Sequence, residues 1–475
     1  MTSVLAIDQG TTGTKAHLLR DDGTFETLGG FEHRQIYPQP GWVEHDPEEL
    51  IAHLEASLAR AKDAAAIGLA NQGETVIAWD AVTKRPIHNA IVWQDARTAD
   101  VTDRLKADGA EELTLRLAGL PLDPYFSASK LRWLLDNVPE ARQLRREGRL
   151  RFGTSDSYFL DRLTGAFATD VTTASRTSLM NLETLQWDQR LADLFGVPIE
   201  CLPEIRATTE SFGAVGGTPI TASLVDQQAA LFGHGCRRTG DAKITFGTGA
   251  FALAVAGNTV PRDTTSGLES TIAWKLGDAP CAYALQGGIY NAASAVNWAR
   301  SLGLFADYAE IDAFAADSAI GRGLAFVPAL SGLSAPYWDR RAAGLWLGMG
   351  LDTTKSDMMQ ALLEGIALLA GTVMSAIDRV SPLGPVLSVD GGLSRNRYFT
   401  HFLAEVMNKR VRVPASAELT GLGAAQLAMI GAGLAKIETL ASPAPRAEIV
   451  PQAPLSAELL ARFADAVERS KAWRA

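Results

Sequence analysis

Residues 4–20 read VLAIDQGTTGTKAHLLR. Two short apolar runs flank a polar turn that is rich in glycine and threonine, and the cluster Asp21-Asp22-Gly23 follows the second run. This pattern predicts a strand, a turn, a second strand and a second turn. Glycine lets a backbone approach phosphate closely, and amide N–H groups and threonine hydroxyls donate hydrogen bonds to its oxygens. An ordinary β-turn shows the same pattern, so this hairpin alone assigns no function.

A second hairpin of the same kind is predicted half a chain later. An apolar run at 243–246 precedes the turn Gly247-Thr248-Gly249, and another run follows at 251–255. Two such turns facing each other across a cleft would suit phosphoryl transfer. A third glycine segment, LSVDGGLSRN at 387–396, follows a predicted strand and would let the sugar or base of a nucleotide approach closely.

Longer helical patterns alternate with these short strands, which predicts the α/β class. One helix should begin after Asp46 as N-cap, with Pro47 at its first position and Glu49 as capping-box partner. A long helix is predicted from apolar residues recurring between 362 and 377, and a C-terminal helix after Ser456.

The length of 475 residues predicts two large domains. Glycines and charges interrupt the apolar pattern at 234–240, so we place the boundary there, with domains at 1–235 and 236–475.

The composition narrows the class of partner. A formal charge of −10 argues against a general nucleic-acid surface, although ATP can still bind at a local site. The three cysteines are widely spaced and show no zinc-binding grouping, which predicts buried free thiols. Neither a leader-like N-terminus nor an apolar run of membrane-spanning length is present in the sequence pattern, so we expect a cytoplasmic protein without a membrane partner.

The whole chain resembles the FGGY carbohydrate kinases, and within that family the glycerol kinases. The matching segments occur in the same order along the chain: DQGTTGTK at 8–15, GWVEHDPEE at 41–49, NQGET at 71–75, NAIVWQDART at 89–98, DPYFSASKLRWLLDNV at 123–138, TTASRTSLMN at 172–181, VDQQAALFG at 225–233, FGTGAF at 246–251, LSAPYWD at 333–339, VDGGLSRN at 389–396 and TGLGAAQLA at 420–428.

This resemblance implies two actin-like, ribonuclease-H-like domains around a cleft that holds ATP and the alcohol substrate. It implies ATP-dependent phosphorylation of a hydroxyl of a small polyol or sugar, with Mg²⁺ placed by Asp8. Asp226 matches the base that accepts the proton of the attacking hydroxyl. The reaction requires such a base, because an alcohol must lose its proton as it attacks the γ-phosphoryl group. A homodimer is common in the family.

The resemblance also assigns the contacts of both substrates. The predicted polyol contacts are Glu74, Trp93, Tyr125, Asp226, Gln227 and Phe251, together with the position of Gly73. Carboxylate and amide oxygens accept hydroxyl protons, whereas aromatic faces cover the carbon chain. The predicted nucleotide contacts are Thr11, Thr12, Lys15, Thr248, Gly249, Ala293, Asn297, Gly392 and Asn396.

Several positions depart from the glycerol kinase pattern. Lys15 replaces an arginine that is common in the family. Ala293 and Asn297 replace a glycine and a glutamine that are common in glycerol kinases. Gly73 replaces the arginine of NQRET that donates hydrogen bonds to glycerol, and Ala96 replaces a second arginine. Both of these changes should enlarge the region around the alcohol.

These departures leave two interpretations of the acceptor. A four- or five-carbon polyol or ketose, such as erythritol, erythrulose, xylulose or ribitol, would fill the vacated space. Alternatively glycerol remains the substrate, and water or Arg97 replaces the lost donor. Glycerol is a leading single candidate.

Two other classes use the same fold: a non-catalytic nucleotide or polyol sensor, and a chaperone-like or filament-forming ATPase. The intact catalytic and phosphate-binding positions disfavour the first class, and the polyol-contact residues disfavour the second.

Overall fold

The computed structural model describes residues 2–61, 63–262 and 265–474. The strands, in chain order, are β1 Ser3–Gln9, β2 Gly13–Arg20, β3 Phe25–Glu32, β4 Glu44–His45, β5 Ala66–Asn71, β6 Val76–Asp80, β7 Ala90–Ile91, β8 Leu150–Thr154, β9 Ala168–Asp170, β10 Met180–Asn181, β11 Gln186–Trp187, β12 Glu204–Arg206, β13 Ala214–Val215, β14 Thr218–Val225, β15 Ala242–Phe246, β16 Ala250–Gly257, β17 Glu269–Trp274, β18 Ala282–Ile289, β19 Ala325–Val327, β20 Leu345–Leu347, β21 Val386–Gly391, β22 Arg410–Pro414 and β23 Pro445–Ile449.

The helices are α1 Pro47–Leu58, α2 Ala99–Ala107, α3 Glu111–Leu117, α4 Ser127–Asn137, α5 Pro139–Arg146, α6 Ser155–Thr164, α7 Val171–Ala174, α8 Gln189–Phe195, α9 Asp226–Gly233, α10 Ala293–Ser301, α11 Lys355–Val380, α12 Arg397–Met407, α13 Leu419–Gly431 and α14 Ala457–Ser470. Short 3₁₀ turns lie at Ile199–Cys201, Tyr308–Ile311, Gly392–Arg395 and Ile437–Thr439.

Two large sheets organise the chain, and they repeat one topology. The first has the order β13-β14-β5-β1-β2-β3, with β1 antiparallel to β2 and parallel to β5. The second has the order β17-β18-β16-β15-β21-β22-β23, with β15 antiparallel to β16 and parallel to β21. Each sheet therefore places a hairpin beside parallel strands, so the two glycine-threonine turns occupy equivalent positions.

Both predicted hairpins are confirmed. The turn after Gln9 joins β1 to β2, and the turn after Phe246 joins β15 to β16. The helix at Pro47 also forms, and the Asp46 carboxylate accepts a hydrogen bond from the Glu48 amide. Glu49 does not complete the predicted capping box, because its Oε1 accepts a hydrogen bond from the Arg34 amide at 2.8 Å.

The other predicted helices are present as α11 and α14, the latter capped by Ser456. α11 is long and apolar enough to cross a membrane by composition, but 89% of its most apolar window is buried inside the protein. It is therefore a core helix. The three cysteines are buried and free, as predicted.

Helix α13 links the two halves of the chain. It comes late in the sequence but packs on α9 and on β1, β5 and β14 of the first sheet. The approach to α9 is so close that a Cβ on Gly423 would lie 1.9 Å from the Ala229 carbonyl oxygen, and a Cβ on Gly233 would lie 2.0 Å from that of Leu419. Only glycine fits at these two contacts. The segment after α12 therefore fixes the first sheet, and with it the first hairpin.

Candidate active site

Residues of both hairpin turns line one cavity of about 460 Å³. Thr11 and Thr12 belong to the first turn, and Thr248 and Gly249 to the second. All seven predicted polyol-contact positions line the same cavity. Its full lining is Thr11, Thr12, Gln35, Tyr37, Gly73, Glu74, Trp93, Gln94, Tyr125, Arg176, Val225, Asp226, Gln227, Thr245, Gly247, Thr248, Gly249, Phe251 and Gln286.

Asp226 is the first residue of α9 and directly follows the buried strand β14. Burial raises the pKa of its carboxyl to about 7, and the negative charges of Asp8 and Glu74 add to this effect, whereas Lys243 opposes it. A base works best when its pKa lies near the working pH. The buried Lys243 ammonium also donates to Gln227 Oε1 at 2.6 Å, which orients the residue beside the base. A carboxyl with a pKa in this range can accept a proton near neutral pH.

Asp8 lies near the end of β1, below the first turn. Burial raises its pKa to about 7; the charge of Glu418 raises it further and that of Lys15 lowers it. Asp8 and Asp226 destabilise each other's charge, so a divalent cation between them and the phosphates would relieve the repulsion. Oxygen donors are also the ligands that Mg²⁺ prefers. The residues present therefore fit a magnesium site.

Lys15 does not face the cavity. Its side chain is half exposed, and its Nζ donates to both carboxylate oxygens of Glu418 at 2.8 and 3.0 Å. This ion pair connects β2 to the residue that precedes α13.

Three aromatic rings form one wall of the cavity. Trp93 meets Tyr125 edge-on with ring centroids 5.7 Å apart, and meets Phe251 in the same way at 6.1 Å. The Trp93 indole N–H donates to Thr11 Oγ1 at 2.8 Å, so the aromatic wall also holds the first hairpin turn. Such a wall can cover the carbon chain of a polyol and exclude water from the reacting groups.

A buried ion-pair network lies beside the aromatic wall, with Arg176 Cζ 5.8 Å from the ring centroid of Tyr125. Arg176 Nε donates to Glu74 Oε1 at 2.7 Å, and its Nη2 donates to Glu269 Oε2 at 2.5 Å. Its remaining nitrogen, Nη1, is buried without a hydrogen-bond partner in the part of the chain that the structure describes. Glu74 adopts a φ of 59°, which is unusual for a residue with a side chain and is typical of functional sites. Arg176 thus offers a free donor to the cavity.

The sequence assignments missed Arg176, although it lies within the matched segment TTASRTSLMN. A signal was present, because an arginine among small polar residues in a buried segment needs acidic partners. Those partners, Glu74 and Glu269, are 102 and 93 residues away, so their identity depends on the fold.

The space beside Gly73 is smaller than the sequence predicted. A Cβ on Gly73 would lie 3.1 Å from Val225 Cγ1, which is tighter than an ordinary contact. Val225 therefore fills much of the space nearest the backbone. An arginine at this position would require Val225 to move.

Arg97 does not replace the missing donor. Its side chain is fully buried, pairs with Asp95 at 2.8 Å and Glu44 at 2.7 Å, and is stacked 3.8 Å from the ring centroid of Trp42. Among the described residues, neither Arg97 nor Ala96 lines the cavity. The interpretation that Arg97 contacts the acceptor is therefore wrong.

A second cavity of about 390 Å³ adjoins the first. It shares with the first cavity the aromatic wall and the second hairpin turn, which contains Thr248 and Gly249. Its other polar groups include Asn291, Ser294 and Arg340. The shared wall gives the two cavities a common boundary at Trp93, Tyr125 and Phe251.

Four of the predicted nucleotide contacts lie outside both cavity linings: Ala293, Asn297, Gly392 and Asn396. Ala293 is the first residue of α10, and its amide donates to the Gly247 carbonyl at 3.0 Å. Asn297, one turn further along, accepts a hydrogen bond from the Tyr308 hydroxyl at 3.0 Å. Gly392 begins a 3₁₀ turn, and Asn396 caps α12 by accepting from the Phe399 amide at 2.7 Å. Their contact with nucleotide stays a prediction.

Models of the FGGY family of carbohydrate kinases match two parts of the chain, the N-terminal domain at residues 3–233 and the C-terminal domain at 242–432. The chain belongs to the FGGY family of carbohydrate kinases. This FGGY kinase is 41% identical to the glycerol kinase of Burkholderia pseudomallei, over 99% of this chain and 98% of the relative. It is 43% identical to the glycerol kinase of Koribacter versatilis, over 91% and 90%.

A crystal structure of Plasmodium falciparum glycerol kinase with ADP matches this FGGY kinase with a TM-score of 0.90 and 33% identity, covering 99% and 98% of the two chains. A ligand-bound xylulose kinase from Lactobacillus acidophilus has the same fold, with a TM-score of 0.87 and 22% identity. The predicted family, the two-domain α/β fold and the class of ATP-dependent sugar or polyol kinase are confirmed.

Proposed function

We propose that this FGGY kinase transfers the γ-phosphoryl group of ATP to a hydroxyl of a small polyol, with Asp226 as the general base. One observation carries the proposal: Asp226, at the start of α9, lies in a single cavity with both phosphate-binding turns and the aromatic wall. The glycerol kinases among the relatives support a polyol as the acceptor.

Each group of residues around the cavity has a separate role in the proposed phosphoryl transfer. Asp226 accepts the proton of the attacking hydroxyl, and Gln227, held by Lys243, helps to orient that hydroxyl. Amide and hydroxyl groups of the two turns bind the phosphates and stabilise charge on the transferring group. Closing of the cleft around the aromatic wall would exclude water, which competes with the alcohol as acceptor.

Asp8, whose charge acts on Asp226, is the residue we assign to Mg²⁺. When bound, the ion supplies charge neutralisation of the nucleotide phosphates. Asp8 would contribute an oxygen ligand from strand β1, whose pairing with β2 and β5 fixes its position. Ala293, Asn297, Gly392 and Asn396 complete the proposed nucleotide site, with Thr11, Thr12, Thr248 and Gly249 at its phosphate end. Lys15, which is paired with Glu418, would act on this site only through its charge.

On the acceptor side, Arg176 supplies the donor that Gly73 cannot. Its free Nη1 can donate to a substrate hydroxyl, while Glu74 Oε2, which the arginine leaves unoccupied, can accept from the next one. This pair binds a diol unit, as glycerol or a longer polyol presents. The second cavity beyond the aromatic wall provides room for additional carbons. We therefore propose a polyol or ketose of three to five carbons, with the loss of arginine at Gly73 favouring four or five.

The experiment is acceptor-dependent ADP release from Mg-ATP, measured with glycerol, erythritol, ribitol, erythrulose and xylulose. The account expects turnover that requires an acceptor, with kcat/KM for a four- or five-carbon compound above that for glycerol. Turnover with glycerol alone would reject the larger acceptor but retain the kinase. ADP release that no acceptor changes, or no turnover with the whole panel, would support an ATPase or a sensor instead.

A further inference from the structure

A group of metal-binding side chains lies behind the first phosphate turn, outside the proposed active site. His33, Glu49 and His53 each offer one ligand atom, and these atoms all lie within 4.8 Å of one another. His33 follows β3, whereas Glu49 and His53 are four residues apart on α1 and so share a face of the helix.

The geometry of the two histidines is close to that of a metal site. His33 Nδ1 and His53 Nδ1 are 3.0 Å apart, and their rings are stacked at 5.1 Å. Two imidazole nitrogens bound to zinc at about 2.0–2.1 Å in a tetrahedral site are separated by about 3.4 Å. The two nitrogens are at hydrogen-bond distance, so an ion bound to both would replace this hydrogen bond and separate them by about 0.4 Å more. Glu49 is partly exposed and its Oε1 accepts a hydrogen bond from the Arg34 amide, so the carboxylate would bind an ion through Oε2.

His45 lies beside the group, with its ring centroid 5.9 Å from that of His33, and its Nε2 is buried without a partner among the described residues.

We propose that His33, Glu49 and His53 form a binding site for a borderline divalent transition-metal ion of the Zn²⁺ class. Two imidazoles and one carboxylate favour such an ion over Mg²⁺, which prefers oxygen donors. The site is separate from that of Asp8, which belongs to the nucleotide.

The ion would support the phosphate turn through His33. The His33 amide donates to the Thr12 carbonyl at 2.9 Å, and its Nε2 lies 3.0 Å from Thr14 Oγ1. Metal on Nδ1 leaves the proton on Nε2, so that Nε2 donates to the threonine hydroxyl. The bound ion would therefore fix the orientation of the His33 ring and of its hydrogen bond to Thr14. This would make the first turn more rigid.

The test uses the full-length protein freed of metal by a chelator. Zn²⁺ binding is measured by calorimetry with Mg²⁺ in excess, and Co²⁺ is used as a spectroscopic probe of nitrogen ligation. We expect one equivalent of Zn²⁺ to bind, a Co²⁺ visible absorption band that Zn²⁺ removes, and a rise in melting temperature. Loss of one ligand should weaken affinity by about tenfold or more.

Glu49→Gln keeps the shape of the side chain, and His53→Ala removes the second imidazole. His401→Ala, at an exposed histidine on α12, is the matched control and should bind as the wild type does. Variants are compared only if their melting temperatures in chelator equal that of the wild type. Glu418→Gln removes a carboxylate from a second group of possible metal ligands, Asp8, His17 and Glu418. This variant should leave Zn²⁺ binding unchanged.

The proposal is overturned if the wild type shows no saturable Zn²⁺ binding, or if Glu49→Gln and His53→Ala both bind Zn²⁺ as tightly as the wild type. Loss of binding in Glu418→Gln alone would place the ion near Asp8 and His17 and would also overturn it.

Discussion

Restoring an arginine at position 73 tests the account of the acceptor side. In Gly73→Arg, the new Cβ lies 3.1 Å from Val225 Cγ1, so the valine must shift by a few tenths of an ångström. Overpacking of this kind costs about 1–3 kcal/mol. Val225→Ala removes both Cγ atoms and relieves the contact. The double variant should therefore accept the arginine, and the single Gly73→Arg variant should be less stable than the double one.

The magnitude of the specificity change follows from the hydrogen bond gained. A second donor, to a hydroxyl that Arg176 leaves unpaired, contributes about 1–3 kcal/mol, or about tenfold to over a hundredfold in affinity. The ratio of kcat/KM for glycerol to that for erythritol should rise by at least about tenfold in Gly73→Arg/Val225→Ala, relative to Val225→Ala alone. The assay is coupled ADP release with each acceptor. An unchanged ratio in a folded double variant would refute the role of Gly73 in specificity.

Three further predictions concern single groups. Because the base acts in its ionised form and the pKa of Asp226 is about 7, kcat/KM for the acceptor should fall about tenfold per pH unit below 7 and level off above it; a profile flat down to pH 5 contradicts this. Arg176→Lys retains the charge but loses the planar fork, so KM for the acceptor should rise about tenfold while KM for ATP changes little; equal effects on both would indicate a structural role. Trp93→Phe removes the hydrogen bond to Thr11 of about 1 kcal/mol and should raise KM for ATP about fivefold, and an unchanged KM would remove the indole from turn positioning.

Local patterns in the sequence predicted the fold well where neighbouring residues determine structure. The hairpin at β1 and β2 follows from apolar runs on either side of a glycine turn, and the start of α1 follows from Asp46 and Pro47. The capping box failed because Glu49 has a partner distant in sequence, the amide of Arg34.

The active site could be predicted only as far as the family pattern specifies it. Nothing near Gly73 in the sequence shows that Val225 fills the adjacent space, since the two residues meet where β14 lies beside β5. The stacking of Arg97 on Trp42, and the buried pairing of Arg176, likewise join segments far apart in the chain. Such contacts follow from packing rather than from spacing.

The central claim is that Asp226 is the base for phosphoryl transfer, and Asp226→Asn tests it most directly. The substitution keeps the shape of the side chain and removes its basicity, so turnover with the best acceptor should fall by about 10²–10⁴-fold. ATP affinity, measured by calorimetry, should stay within about twofold of the wild type. The control is Asp465→Asn, an exposed position on α14, which should retain full turnover. A folded Asp226→Asn enzyme with most of the wild-type rate would contradict the account.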